Sequence, residues 1–148
     1  MTKQFDKNQF HHSVKLRVQF RDLDAFRHVN NATYLSYLEE SRIGYLSTVF
    51  NTGKNNLNIN IIVARIEIDY LFPLQLNDLV KVYMRCSKVG NKSMDIENVI
   101  VLVKDTQEII SARAITKLVY FDYREKESKA IPVKFRKKIE AFESKITN

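Results

Sequence analysis

Five residues within ten positions carry groups that can do chemistry: Asp22, Asp24, His28, Asn30 and Asn31. Asp24 and His28 could be taken for an acid–base pair. Just downstream, Leu35, Leu38, Arg42, Tyr45, Leu46 and Val49 fall near helical spacing, with Tyr34, Tyr37 and Ile43 widening the stripe. Asn30 or Asn31 can cap that helix, because a short side-chain oxygen accepts from an orphan backbone N–H. A carboxylate beside a helix N-terminus is stabilised as the anion, and the first turn has free N–H donors. Read alone, Asp24 is a turn aspartate that bonds its own backbone. Asn30 and Asn31 are read first as caps.

A second group is cationic. Lys81, Arg85, Lys88 and Lys92 fall between Asp78 and Asp95 with no acid among them, and Val89-Gly90-Asn91 signals a hairpin. Such charges can bind phosphate or protect a strand edge. Arg65 sits mid-strand opposite an apolar face. Lys134, Arg136, Lys137 and Lys138 read as a solvated helix face, and Cys86 as a strand core residue.

The elements that must position these groups follow from periodicity. Residues 14–21 alternate apolar and polar, as a half-buried strand does. Residues 22–30 are a loop, the helix runs from Asn30 or Asn31 to about residue 50, and 51–58 are a polar break. Strands are expected at 59–72, 79–89, 93–104 and 108–123, with Pro73 ending the first and Leu74-Gln75-Leu76-Asn77-Asp78 as a turn. A short basic helix follows Pro132 over 132–145. One strand, one long helix, four strands in meander and a tail helix make a two-layer α+β fold, with open sheet edges that favour pairing with a second copy.

Composition narrows the class. The chain has 148 residues, 45% apolar and 28% charged, with 3 Gly and 2 Pro, the balance of one folded domain over 1–148. A single cysteine excludes a disulfide framework and any multi-thiolate metal site. No apolar run is long enough to span a membrane, and residues 1–12 lack an apolar leader. The expected location is the cytoplasm. The net charge of +7 favours anionic partners. With no Trp and basic residues spread along the chain, nucleic acid is not the expected one.

The string from Asp22 to Tyr34, Asp-Leu-Asp-Ala-Phe-Arg-His-Val-Asn-Asn-Ala-Thr-Tyr, resembles the signature of hotdog-fold acyl-CoA thioesterases, most closely the hydroxybenzoyl-CoA thioesterase branch. The match continues through Tyr37-Leu38-Glu39-Glu40-Ser41-Arg42, through Ile66 to Tyr70 with Pro73, and at Asn77-Asp78. It covers about residues 14–123. The resemblance implies a hotdog fold, in which the antiparallel sheet wraps one long helix in the order β-α-β-β-β-β. It implies hydrolysis of an acyl- or aryl-CoA thioester with no metal and no cofactor, coenzyme A being part of the substrate. By position Asp24 is the nucleophile or the base for water. The helix N-terminal amide that polarises the carbonyl falls at Asn31, where donors stabilise the developing oxyanion. His28 and Glu39 are candidates to position water or substrate. Arg65, Lys88, Gly90, Asn91, Lys92 and Ser93 are candidates for the coenzyme A phosphates. A homodimer or homotetramer with interfacial sites is implied, and the phosphate-binding lysines can then come from the neighbour. No membrane partner is expected, and an acyl carrier protein is an alternative carrier.

Two departures stand out. Some acyl carrier protein thioesterases of similar pattern have Asn where this chain has Phe26, and another group has His where it has Asn31. The signature of a hotdog hydratase, Asp with a downstream Asn-Pro and His, is absent. The alternatives carried forward are a non-hydrolytic acyl-CoA-binding hotdog protein and an acyl carrier protein thioesterase.

Overall fold

The computed structural model describes residues 5–145. In chain order the elements are β1 (His12–Arg17), α1 (Asn31–Phe50), β2 (Ile61–Tyr70), β3 (Leu79–Val89), β4 (Ser93–Lys104), β5 (Gln107–Asp122), β6 (Glu127–Ser128) and α2 (Val133–Glu143). The strands form one antiparallel sheet in the order β1-β3-β4-β5-β2, with β6 added beside part of β5. The sheet curls around α1.

The expected four-strand meander is corrected here. β3, β4 and β5 are sequential neighbours, but β2 crosses to the far edge and pairs β5. Period-two patterning gives strand faces and says nothing about neighbours. β1 is also shorter than the alternation over 14–21. The chain turns into a single 3-10 turn at Phe20–Asp22, so Phe20 is 81% exposed where the alternation would bury it.

α1 begins where the capping argument places it. Asn30 is extended, and its side chain accepts from the Ala32 N–H. The helix ends at Asn51 in a left-handed conformation, φ 53°. Its buried face is Tyr34, Tyr37, Leu38, Ser41, Gly44, Tyr45 and Leu46, while Leu35, Glu39 and Glu40 face outward. Tyr34, Tyr37 and Leu38 pack on Val80, Val82, Ile100, Ala112 and Ala114 at the N-terminal end. Tyr45 and Leu46 pack on Met84, Ile96, Leu118 and α2 at the other. Gly44 lets β1 come close, since a Cβ there would meet the His12 ring and the Val14 side chain at 3.2 Å.

On the outer face of the sheet, Phe5 and Phe10 lie edge-on to Tyr83, at 4.9 and 5.9 Å, over Val99 and Val101. β1 covers β3 only from Leu79 to Met84. Beyond that point α2 takes over the exposed edge. Glu143 accepts from the Cys86 N–H at 2.8 Å and from the Tyr45 hydroxyl, and Arg136 donates to the Val89 and Gly90 carbonyls. Burial, with Glu143 nearby, pushes the Cys86 thiol up to about 12, the state of a core cysteine.

Candidate active site

The loop before α1 is closed by its own backbone. Leu23 and Val29 form a bridge, the Asp24 N–H donates to the His28 carbonyl at 2.8 Å, and the Asn30 N–H donates to the Asp22 carbonyl at 2.9 Å. The Val29 N–H reaches the Leu74 carbonyl at 2.9 Å and docks the loop on the core. Within this frame Asp24 Oδ1 accepts from the N–H of Phe26 at 2.8 Å and of His28 at 3.3 Å. One carboxylate oxygen is thereby pinned, which fixes the direction of the other. Arg27 takes the left-handed conformation at the loop tip, φ 64°, and Phe26 beside it is 82% exposed.

Asp22 holds the frame to the helix. Its Oδ2 accepts from the Gln19 N–H at 2.8 Å and from the Tyr37 hydroxyl at 2.9 Å. Burial, together with that carboxylate, pushes the Tyr37 phenol far above its ordinary range. Tyr37 is thus a neutral donor nearly two turns into α1.

Asp24, His28, Val29, Asn31, Tyr34, Tyr70, Leu71, Phe72 and Pro73 line a cleft of about 300 Å³. Its wall is aromatic: Tyr34 and Tyr70 meet edge to face at 5.0 Å. The Tyr70 hydroxyl donates to the Asn31 carbonyl at 3.1 Å. The Ser111 hydroxyl donates to the Phe72 carbonyl at 2.7 Å, so the Tyr34 hydroxyl is the donor in its 3.3 Å bond to Ser111 Oγ. Other cavities lie along β1 and α1 beside Asp22 and Tyr37, and beside Arg17 and Lys104, but neither is lined by Asp24.

The structure therefore brings Asp24, His28 and Asn31 together. It leaves Glu39 outside the cleft, exposed beside Arg42, where its charge opposes the lowering of the Arg42 pKa by burial. Arg65 is exposed on β2 and ion-paired to Glu67. Lys81 and Arg85, which fall in the acid-free stretch between Asp78 and Asp95, meet Glu108 at 3.9 Å and Glu97 at 2.7 Å across strands. Lys88, Gly90, Asn91, Lys92 and Ser93 form the β3–β4 hairpin at the opposite end of the sheet. Ser93 pairs Val119, which pairs Ile62, whereas the cleft residue Tyr70 ends the same β2 strand. At about 3.3 Å per residue, those ends lie roughly 26 Å apart along the strand. Tyr70, Leu71 and Phe72 are the cleft residues that patterning misses. The signal available was an aromatic-rich strand end running into Pro73. Among the described residues no group of His, Cys, Asp and Glu could hold a metal ion, and no helix is long and apolar enough to cross a membrane.

Comparisons with known proteins agree with this fold. The model of the thioesterase-like superfamily matches residues 18–139. The long-chain acyl-CoA thioesterase FadM of Escherichia coli is 32% identical over 129 residues, covering 86% of this chain and 96% of that protein. The acyl-CoA thioesterase YbgC of Haemophilus influenzae is 30% identical over 132 residues, covering 87% and 91%. Among solved structures, a Thermus thermophilus thioesterase crystallised with coenzyme A and zinc superposes with a TM-score of 0.80 at 32% identity, covering 93% of this chain and 98% of that one. A family match over most of the chain, joined to a curled sheet around one long helix, makes this chain a member of the thioesterase-like superfamily, a hotdog-fold thioester hydrolase.

Proposed function

We propose that the chain hydrolyses acyl-CoA thioesters, with Asp24 as the essential carboxylate. The observation that carries this reading is the pinning of Asp24 Oδ1 by the Phe26 and His28 N–H groups at the mouth of the cleft. The other oxygen either attacks the thioester carbonyl carbon or takes a proton from the water that does. In both routes the C–S bond breaks and coenzyme A leaves as the thiol after protonation; direct attack leaves an acyl–Asp24 anhydride that a water then hydrolyses to free the acid and the carboxylate, whereas the water route gives the acid at once. The N–H of Asn31, first in the helix, is the donor assigned to the developing oxyanion. His28 flanks the attack position and is assigned to orient water. This chemistry calls for no metal or cofactor.

The site of a single copy is open, and its rim is apolar: Phe26, Tyr70, Leu71 and Phe72 are all exposed. β2 ends the sheet with one edge unpaired. A two-fold pairing of β2 edges runs the strands antiparallel. It sets the cleft end of one copy beside the hairpin end of the other, so the coenzyme A phosphates meet Lys88 and Lys92 of the second copy. The two lysines are exposed. Thiol release from short, long and aryl acyl-CoAs tests the reading. Asp24→Asn keeps an oxygen for the two loop N–H groups and loses the charge, so kcat/KM is expected to fall at least about a hundredfold, about 2.7 kcal/mol of barrier. Undiminished activity in that variant would move the chemistry elsewhere.

A further inference from the structure

The β3–β4 hairpin is held from behind along four consecutive carbonyls. Arg136 Nη1 donates to Val89 O at 3.3 Å and Nη2 to Gly90 O at 2.6 Å. The Ile131 N–H donates to Asn91 O at 2.8 Å, and the Tyr120 N–H to Lys92 O at 2.9 Å. The turn itself is tight. The Gly90 N–H donates to Ser93 O at 2.8 Å, and a Cβ on Gly90 would stand 3.2 Å from that same oxygen. With its carbonyls turned inward, the hairpin presents the exposed side chains of Lys88, Asn91 and Lys92 outward.

Two of the four bonds come from one side chain on α2, and α2 is fixed independently of the hairpin. Phe135, Ile139 and Phe142 are buried, Phe135 lies 4.4 Å from the Phe50 ring at the end of α1, and Glu143 anchors the last turn to Tyr45 and Cys86. Arg136 is aligned further by Glu140 at 4.0 Å. A planar guanidinium donating to two adjacent carbonyls sets both position and tilt. A flexible lysine pair on an unbraced turn would have to be ordered by the ligand at a cost in binding free energy.

We propose that Arg136 is a positioning residue for substrate binding: it braces the 89–92 turn so that Lys88 and Lys92 are preorganised for the phosphates of coenzyme A. This rests on the acyl-CoA reading above. The sequence treats Arg136 as one more cation on a solvated face, whereas the structure turns it inward, where it acts through the hairpin.

The test compares two substrates with the same acyl group, the acyl-CoA and the acyl-pantetheine thioester that lacks the nucleotide and its phosphates. For Arg136→Gln we expect KM for acyl-CoA to rise about tenfold with kcat within about twofold, and both constants for acyl-pantetheine to stay within about twofold. Lys92→Gln should give the same selective pattern. Should Arg136→Gln fail to fold, Arg136→Lys carries the same comparison, with a single ammonium nitrogen in place of the planar fork that spans the two carbonyls. An unchanged KM in a folded variant, a fall in kcat, or an equal loss on both substrates would overturn the brace. If the wild-type enzyme handles acyl-CoA no better than acyl-pantetheine, the coenzyme A reading itself falls, and the inference with it.

Discussion

The Asp22–Tyr37 bond ties the loop that carries Asp24 to the helix that follows it. Asp24 is oriented by a loop, and that loop is tied to α1 through the Asp22 carboxylate and the Tyr37 hydroxyl. Hydrogen bonds to charged groups in partly buried sites contribute more than neutral ones. Tyr37→Phe keeps the ring in the core and removes only this tie. It should cost about 1.5–3 kcal/mol of folding stability, read by urea unfolding. It should also lower kcat several-fold with KM nearly unchanged, because the carboxylate is displaced and not the binding surface. The motif around Asp24 was legible because residue types at fixed spacing carry it. The tie was not, since Tyr37 presents itself in sequence as one more aromatic on a helical stripe.

At the scale of elements, the seam between α1 and β1 turns on Gly44. Glycine in a helix interior costs about 1 kcal/mol against alanine, so Gly44→Ala would stabilise an isolated helix. Here the new methyl meets His12 and Val14 at 3.2 Å. The His12 ring has little room to yield, being edge-on to Tyr45 at 5.7 Å and partly buried, with its pKa lowered by that burial. Overpacking costs about 1–3 kcal/mol, so a net loss of about 1 kcal/mol is expected, measured as a lower urea midpoint. Most elements were legible: β3 and β4 sit where the hairpin signal puts them, and Asn30 caps α1 as its side chain allows. The neighbours of each strand were not. Lys81 and Arg85 look uncompensated until the sheet sets Glu97 across from Arg85 and brings Glu108, two strands over, to Lys81, and β2 lies beside β5 for reasons of chain crossover that local periodicity does not encode.

For the whole molecule, the separation of cleft and hairpin within one chain makes a sharp demand. If each working site takes Asp24 from one copy and Lys88 and Lys92 from the other, two crippled chains can repair one another. On the proposed reading, Asp24→Asn should be inactive and the double variant Lys88→Gln, Lys92→Gln weak at low acyl-CoA. A heterodimer of the two holds one site with both parts intact. After full subunit exchange, half the dimers are mixed and half of their sites are whole, so activity should recover to about a quarter of wild type under two-fold symmetry. Recovery is followed by thiol release after mixing and dilution. No gain over the double variant alone would place carboxylate and lysines in the same copy.

The irregularity in β2 bears on how that edge is reached at all. Val63 pairs Leu118 and Arg65 pairs Lys117, so Ala64 stands between two adjacent rungs with no rung of its own. A residue of this kind bends and twists its strand, here midway along the strand that carries Tyr70 to the cleft. It is also a spare beat in the alternation. Excising Ala64 would leave Ile61, Ile66 and Ile68 facing inward as before, while excising Ile62 or Glu67 would turn part of the strand inside out. The strand's length is thus free to vary at one position without exchanging its wet and dry sides. What that position holds is the curvature that aims the strand's end at the cleft.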